Sequence, residues 1–352
     1  MSILSIENKL KFKTILIVVS GGIAFGFIYN YLFYPHRFTE YLEAISSGMF
    51  IGLFIGIVEE FLLKRIFQKV AFYKVTLIRA FLYSLFISLT LSLVLSIEIS
   101  IKEQISYSDA LVFYFQSPPF MRDYFFSLAF VFIILVFVQF VQLIGLKNLV
   151  RLLVGHYHKP REVKRIFMFI DLNNSTPLAE KIGNELYSSF VKEYINDVSD
   201  AINLYGGEIY QYVGDEVSVV WSLSRKNDNC LHCFLKIKEI VEGKREQYLA
   251  RFGDFPKFKA GAHIGAVVVT EVGKSKKELA YHGDVVNTTS RIMGKCNELN
   301  QEFLISEDLL AIVDQTNITL VEQGELSLKG KAQKISLFGV HKHDAINATN
   351  IK

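Results

Sequence analysis

Four long apolar segments in the first 146 residues constrain the fold of this chain more than any other feature. They run approximately over Thr14–Tyr34, Glu43–Leu63, Arg79–Glu98 and Tyr124–Leu146. Each is close to the roughly 20 apolar residues that an α-helix needs to cross a bilayer. Four buried helices of a soluble bundle would need polar faces, which these segments lack. The sequence therefore predicts four transmembrane helices within residues 1–146, which form a membrane anchor and a possible sensor.

Positive charges indicate how these helices are oriented. Four Lys and Arg residues lie in the link between the second and third segments and Arg79 begins the third, whereas the link Ile99–Asp123 contains only Lys102 and Arg122. Because cytoplasmic loops are enriched in Lys and Arg, we expect a multi-pass protein of the inner (cytoplasmic) membrane with both termini in the cytoplasm. The net charge is +3, but the Lys and Arg residues cluster at the membrane edges. The sequence therefore gives no indication of nucleic-acid binding.

Two acids, Glu59 and Glu60, lie near the end of the second apolar segment. One interpretation places them at the membrane interface, paired with Lys64 or Arg65, and we favour it. The alternative is a sensing or proton-linked acid inside the bundle.

Beyond residue 146 the pattern changes to short strands that alternate with helices. Residues 147–164 are predicted to form a signalling helix and a linker, and residues 343–352 a disordered tail. Between them, hairpins and crossover helices predict an α+β domain with a mixed sheet over residues 165–342. We expect single helices over about Pro177–Leu204 and Asp228–Arg251, and a pair of strands in the stretch FKAGAHIGAVVVTEVG.

An acid ends the predicted strand in the stretch RIFMFIDLNNSTPLAEKIG. Asp171 follows the apolar run Ile166–Ile170, where a buried carboxylate is costly unless a partner neutralises it. A second acid, Asp215, lies at the tip of the hairpin predicted in GGEIYQYVGDEVSVVW. A tight turn alone would explain the Gly-Asp pair, but neighbouring strands would make the two carboxylates converge. Oxygen ligands of this kind suit Mg²⁺ or Mn²⁺.

Four small polar residues follow the first acid after one leucine. Ser175 or Thr176 is predicted to cap the next helix, with Pro177 near its first position. Free amides at a helix N-terminus attract phosphate. The loop Asn173, Asn174, Ser175, Thr176 is therefore a candidate phosphate site beside the carboxylates.

Two further stretches contain candidate phosphate contacts. Asn287 and Arg291 in GDVVNTTSRIMG are four residues apart and share one face of a helix. This is either an ordinary amphipathic helix or an Asn–Arg pair whose arginine neutralises charge in a transition state. Lys329 in ELSLKGKAQ is either a turn residue or a contact to a triphosphate.

Together these stretches resemble the catalytic domain of class III adenylate and guanylate cyclases over about Arg165–Val340. IDLNNST resembles the first metal segment of that family, and YVGDEV resembles the second, 44 residues further on. GDVVNTTSR resembles the transition-state helix and LKGK the triphosphate lysine strand. A membrane anchor before one such domain is similar to a bacterial membrane-bound subgroup. The resemblance implies a ferredoxin-like βαββαβ core and conversion of ATP to 3′,5′-cyclic AMP and pyrophosphate.

The resemblance also implies the contents of the metal and phosphate site. Asp171 and Asp215 would bind two divalent cations, Mg²⁺ or Mn²⁺, with the Leu172 carbonyl as a further ligand. The amides of residues 173–176 would hold the β- and γ-phosphates.

The remaining roles belong to the transition-state helix and the lysine strand. Asn287 would orient the ribose, Arg291 would stabilise charge on the α-phosphate, and Lys329 would hold the triphosphate. In the family these three come from the partner subunit, so the resemblance implies a homodimer.

Two positions that select the base depart from the usual residues of the family. Gln211 stands where adenylate cyclases have Lys, and its amide can donate to adenine N1 but also accept from guanine. Ala280 stands where Asp or Thr is usual and offers no side-chain hydrogen bond. Ser175 replaces the usual aromatic residue of the first motif. We favour ATP as substrate, and a guanylate cyclase acting on GTP is the alternative.

The sequence fits two other classes of protein less well. A non-catalytic nucleotide-binding or scaffold domain typically lacks a metal aspartate or the transition-state arginine, and this chain has both. A diguanylate cyclase would carry GGDEF or GGEEF, whereas the hairpin here reads YVGDEV.

The membrane helices are open to three interpretations: a receptor for a small ligand or lipid, a dimerising anchor, or a docking surface. In each case Lys147–Tyr157 would connect them to the catalytic domain.

Overall fold

The computed structural model describes residues 3–33, 38–59, 61, 72–144, 159–224, 227–274, 278–316, 318–326 and 334–343. The chain divides into two compact units, Met1–Leu153 and Val154–Lys352. The predictions for the connecting helix, for Glu60, for Lys329 and for the tail after residue 343 lie outside the described residues.

The described part of the first unit is helical. Its helices are α1 (Ile3–Phe33), α2 (Phe38–Val58), α3 (Phe72–Glu103), α4 (Tyr107–Gln116) and α5 (Pro118–Ile144). Four of them are long and apolar enough to cross a membrane, over Ile15–Phe33, Tyr41–Val58, Tyr73–Glu103 and Pro118–Phe137. The four apolar helices predicted from the sequence are therefore confirmed.

Helix α4 was not predicted and lies in the link after α3. The Ser106 side chain caps it by accepting from the Asp109 amide. At its other end the Tyr114 hydroxyl donates to Asp123 of α5 at 2.5 Å, and Asp123 is only 1% exposed. Arg122 also donates to Asp123, at 2.8 Å. These bonds satisfy a buried acid and fix α4 against α5.

Glycines allow α1 and α2 to pack backbone against backbone. A Cβ on Gly22 would overlap the carbonyl oxygen of Gly48, and a Cβ on Gly26 would overlap that of Ala44. Small residues permit such close approach between helices in a membrane.

Among the described residues, Glu59 forms an ion pair with an arginine of the next helix. Its Oε1 lies 2.9 Å from Nη2 of Arg79 on α3, and its Oε2 accepts from the Tyr83 hydroxyl. The expected partners Lys64 and Arg65 lie outside the described residues. Glu59 therefore connects the end of α2 to α3.

The second unit is an α+β domain. Its strands are β1 (Arg161–Leu172), β2 (Glu208–Val213), β3 (Glu216–Ser222), β4 (Phe258–Val272), β5 (Glu278–His282), β6 (Phe303–Ser306), β7 (Ile318–Leu326) and β8 (Ile335–Lys342). Its helices are α6 (Ser175–Ile182), α7 (Asn184–Leu204), α8 (Asn229–Gly243), α9 (Arg245–Phe252), α10 (Asp284–Gly294) and α11 (Glu307–Leu310).

These strands form one mixed sheet in the order β2-β3-β1-β4-β6-β8-β7, with β5 paired to β4. Strand β1 is antiparallel to both β3 and β4, whereas β4 and β6 are parallel. The part β2-β3-β1-β4 has the strand order of a ferredoxin-like βαββαβ core, as the resemblance implied. Strand β1 is thus central, and its end lies between β3 and β4.

Several predicted elements differ in extent from the structure, among them β1, which begins at Arg161 within the predicted linker 147–164. The expected strand pair in FKAGAHIGAVVVTEVG is the single strand β4, because Gly261 and Gly265 make room for α10 instead of turning the chain. A Cβ on Gly261 would overlap the Met293 backbone, and one on Gly265 would overlap Val285. The helix expected over Pro177–Leu204 is divided at Gly183, whose φ is +83°. The helix expected over Asp228–Arg251 is divided at Lys244.

Alternate residues of β1 pack on opposite faces of the sheet. Ile166, Met168 and Ile170 join the core formed with α7 and α8. Phe167 and Phe169 join the smaller core formed with α10. Because strand side chains alternate, the following Asp171 lies on the α10 face of the sheet.

Candidate active site

Asp171 lies at the end of β1, directly opposite Lys259 of β4. Lys259 Nζ is 3.3 Å from Asp171 Oδ2, and both side chains are largely shielded from solvent. Burial raises the pKa of Asp171, the Asp215 carboxylate raises it further, and Lys259 opposes the increase. The structure therefore brings together the two acids that the sequence placed at the ends of different strands.

Asp215 occupies the turn between β2 and β3, where Gly214 adopts a φ of +64°. Its Oδ2 atom is buried and has no hydrogen-bond partner within the described part of the chain. An unpaired carboxylate oxygen beside a second carboxylate is unfavourable unless a cation compensates it. This arrangement suits a divalent cation with oxygen ligands.

The neighbouring Glu216 adds a third acid to the surroundings. Burial raises the pKa of Glu216, and Asp171 and Asp215 add to the increase, whereas the Ser218 hydroxyl opposes it. Among the described residues, no group of three His, Cys, Asp or Glu side chains is arranged as a metal site. The remaining ligands would therefore be main-chain, substrate or water oxygens, as is usual for Mg²⁺.

The main chain after Asp171 orients one such oxygen. The Asn173 N–H donates to the Lys257 carbonyl at 2.7 Å, on the β4 side of β1. The carbonyl and N–H of a trans peptide point in opposite directions. The Leu172 carbonyl therefore points to the side of β1 on which β3 and its turn lie.

The candidate phosphate loop begins α6, but its cap differs from the prediction. The N-cap is Asn174, with φ 56° and ψ 37°, and no side chain caps the helix. Asn174 ends the loop in the left-handed conformation, which asparagine tolerates better than most residues. Ser175 and Thr176 are therefore the first two helical residues and not the cap. The first helical bond of α6 is donated by Leu178, at 3.2 Å from the Asn174 carbonyl. The amides of Ser175 and Thr176 thus precede the hydrogen-bonded part of the helix, as phosphate binding requires.

Two tyrosines of α7, which sequence reasoning missed, lie beside the carboxylates. Burial and then Asp215 raise the pKa of Tyr187, and the Ser175 hydroxyl opposes this. The pKa of the fully buried Tyr194 is raised by burial, Asp171 and Asp215. The two tyrosines are seven residues apart, so helical periodicity predicts that they share a face. Lys259, by contrast, was not identifiable without the register of β1 and β4.

Asn287 and Arg291 lie on α10, which packs on the sheet through Val285, Ile292 and Met293. Asn287 is exposed and Arg291 is half-buried. Among the described contacts, none joins either residue to the two aspartates of the same chain. Within one copy, no described contact therefore joins the Asn–Arg pair to the carboxylate pair.

The two candidate base-selecting positions lie on strands that meet in one chain. Gln211 is exposed on β2, and Ala280 is half-buried on β5 opposite Thr270. The preceding and following residues, Tyr210 and Tyr281, touch with ring centroids 4.9 Å apart. Gln211 and Ala280 therefore each lie next to one tyrosine of the Tyr210–Tyr281 contact.

Comparison with known proteins gives consistent matches for the second unit. The sequence profile of the adenylate and guanylate cyclase catalytic domain matches residues 159–342. "Adenylate cyclase 2" of Rhizobium meliloti is 35% identical over 202 residues, which are 56% of this chain and 56% of that protein. The adenylate cyclase of Anabaena cylindrica is 25% identical over 49% of this chain and 36% of its own length. The chain thus spans about half or less of the length of these relatives.

Solved cyclase structures also align with the chain. The adenylyl cyclase CyaB from P. aeruginosa has 21% identity and a TM-score of 0.47, over 53% of this chain and 98% of that chain. The guanylyl cyclase Cya2 has 18% identity and a TM-score of 0.48, over 55% of this chain and 98% of that chain.

Proposed function

The chain belongs to the family of adenylate and guanylate cyclase catalytic domains, and we propose that it is a membrane-anchored class III adenylate cyclase. It converts ATP into 3′,5′-cyclic AMP and pyrophosphate. The 3′-hydroxyl oxygen bonds to the α-phosphorus, the bond from that phosphorus to the β-phosphate oxygen breaks, and the hydroxyl proton is released. The observation that carries the proposal is the Asp171–Asp215 pair, in which one buried oxygen has no partner within the described residues.

Asp171, Asp215 and the Leu172 carbonyl are the groups that would hold two divalent cations. When bound, the cations lower the pKa of the ribose 3′-hydroxyl and neutralise the phosphates. The carboxylates supply the negative charge that attracts them, and Lys259 keeps Asp171 in place through its 3.3 Å contact.

The chain itself binds the phosphates beside this pair. The amides of Ser175 and Thr176 are placed to donate to phosphate oxygens at the start of α6. The ammonium group of Lys259 lies at the same strand end and offsets part of the charge that ATP brings. Tyr187 lies close enough to the loop for the Ser175 hydroxyl to lower its pKa, so it is placed to contact this loop.

The other half of each site comes from a second copy of the chain. Asn287 and Arg291 lie on α10 without a described contact to the aspartates of their own chain. A head-to-tail homodimer would place the Arg291 of one copy against the α-phosphate bound by the other, where charge accumulates in the transition state. The same copy would contribute Asn287 to the ribose and Lys329 to the triphosphate.

ATP is the proposed nucleotide. The Rhizobium meliloti and Anabaena cylindrica relatives are both adenylate cyclases by name. Gln211 can donate an amide N–H to adenine N1. Because Ala280 forms no side-chain hydrogen bond with the base, selectivity over GTP would rest mainly on Gln211.

The proposed location is the inner membrane, with the cyclase domain and both termini in the cytoplasm. The positively charged link between α2 and α3 supports this orientation. The substrate supports it as well, because ATP is a cytoplasmic nucleotide.

A purified full-length preparation, supplied with Mn²⁺ and either ATP or GTP, tests the proposal. We expect cyclic AMP from ATP, and a loss of at least about a hundredfold in Asp171→Ala, since bound metal supplies several kcal/mol of transition-state stabilisation. Glu162→Ala is the matched control, because Glu162 is an exposed acid on the same strand. Equal or exclusive turnover of GTP would refute the base assignment, and an unaffected Asp171→Ala variant would refute the enzymatic function.

A further inference from the structure

A cavity of about 370 Å³ lies within the first unit, between α1, α2 and α3. It is formed by the C-terminal half of α1, the N-terminal half of α2 and the C-terminal half of α3. These segments belong to the same end of the bundle, away from the link between α2 and α3. The volume lies in the usual range for a small-molecule site.

The cavity carries two acids from different helices. Glu43 of α2 and Glu98 of α3 both line it and stand at its exposed rim. Among the described residues, neither acid forms an ion pair, and no Lys, Arg or His lines the cavity. Like charges that share one opening create a negative potential, which attracts a cation.

A buried amide provides an observation independent of the two acids. Asn30 of α1 also lines the cavity and is only 4% exposed. Its Oδ1 atom is buried and has no hydrogen-bond partner within the described residues. A buried carbonyl oxygen of this kind is unfavourable unless a donor reaches it. Among the described residues that line the cavity, none donates to Asn30 Oδ1, and none carries a positive charge.

The remaining described walls are mostly apolar and partly aromatic, with Ser47 as a further polar residue. Phe25 and Tyr29 line the cavity and stack with centroids 6.0 Å apart. Aromatic rings attract organic cations through their π faces. Aliphatic side chains of α3, among them Leu91 and Leu95, complete the lining. Such walls suit a ligand with an apolar body rather than a hydrated metal ion.

We propose that this cavity binds an amphiphilic organic ammonium ion. The apolar body packs against Phe25 and the aliphatic side chains, and the ammonium group lies near Glu43 and Glu98. One N–H of the ligand donates to Asn30 Oδ1. A free primary amine and the headgroup of an aminophospholipid both supply this chemistry. Bound in this way, the ligand connects α2 to α3 and gives the helical unit a sensing role.

Calorimetric titration of the full-length protein in phosphatidylglycerol nanodiscs tests the proposal. The probe is 2-phenylethylamine, which is charged at neutral pH, and its neutral counterpart is 2-phenylethanol. We expect the amine to bind at least about tenfold more tightly than the alcohol. Glu43→Gln and Glu98→Gln should each weaken amine binding roughly tenfold, and Asn30→Leu should also weaken it. Glu103→Gln, on the same helix as Glu98 but outside the lining, should leave binding unchanged.

A second set of nanodiscs distinguishes the two sources of the ammonium group. If phosphatidylethanolamine occupies the cavity, adding it to the discs should weaken binding of the probe to the unmodified protein and have less effect on Glu98→Gln. If the natural ligand is a free amine, the lipid should have no effect, and the proposal also stands. Equal binding of amine and alcohol, or full affinity in both glutamine variants, would overturn the proposal. Because binding is measured directly, this result does not depend on cyclase activity.

Discussion

At the scale of single residues, Asp171 and Asp215 destabilise the folded chain when no cation is bound, because two half-buried carboxylates repel each other. We therefore expect Asp215→Asn to stabilise the cation-free protein by roughly 1 kcal/mol, or about 2–4 °C. Added Mn²⁺ should stabilise the unmodified protein but not this variant. Thermal unfolding in EDTA and in MnCl₂ measures both effects, with Glu162→Gln as control. Equal stabilisation of the variant by Mn²⁺ would show that Asp215 is not a ligand.

Asp254, beside the start of β4, gives a pH-dependent prediction at the same scale. The Phe255 N–H donates to it at 2.8 Å and Lys181 Nζ at 3.0 Å, and these contacts lower the pKa of Asp254 below its usual 3.8. Its ionised form thus stabilises the fold above pH 3.8, and this contribution is lost as the pH falls through the lowered pKa. Because the pair is exposed, Asp254→Asn should cost no more than about 1 kcal/mol at pH 7. The difference in melting temperature should shrink on acidification, and a difference that grows would contradict this assignment.

At this scale, the sequence predicted which residues carry the chemistry better than it predicted which residues they contact. Asp171 and Asp215 were identified because a carboxylate at a strand end and another at a hairpin tip need compensation. Lys259 was missed because its role depends on the register of β1 and β4, which residue types do not specify. The cap predicted at Ser175 or Thr176 was wrong, since the left-handed conformation of Asn174 ends the loop earlier.

At the scale of elements, the glycine contact between α1 and α2 determines how closely these helices approach. A Cβ on Gly22 would overlap the Gly48 carbonyl oxygen, whereas a Cβ on the adjacent Gly21 would meet nothing within 4 Å. We expect Gly22→Val to destabilise the helical unit by about 1–3 kcal/mol, as overpacking does. Gly21→Val is the matched control and should cost much less. Thermal unfolding of the full-length protein in detergent compares them, and equal stability would argue against the contact.

The sequence predicted the type and order of most elements, but their extent depended on tertiary packing. Alternation and hairpin signals identified β1, β2 and β3. The stretch FKAGAHIGAVVVTEVG was predicted to form two strands, yet it is the single strand β4, in which Gly261 and Gly265 leave room for α10. Helix α4 escaped notice because a short helix in a loop has neither the length nor the hydropathy of a span.

At the scale of the whole molecule, the proposed site is completed only when two copies assemble. A chain with Asp171→Asn and a chain with Arg291→Ala should each be inactive alone, because every site in either homodimer lacks one essential group. The mixed dimer retains one intact site, formed by Asp171 of one copy and Arg291 of the other. The sequence could only suggest this through a family resemblance, since no pattern within one chain specifies its partner.

Cyclic AMP production by the two inactive variants, co-expressed and purified together, tests the central claim most directly. When the two variants are present in equal amounts, about half of the dimers are mixed, and each mixed dimer has one intact site of its two. Activity should therefore return to about a quarter of the unmodified level. The control is a mixture of the two variants after separate expression and purification, in which no mixed dimer has formed. If the co-assembled variants stay inactive while each still assembles with the unmodified chain, or if either variant alone is active, the shared two-copy site is wrong.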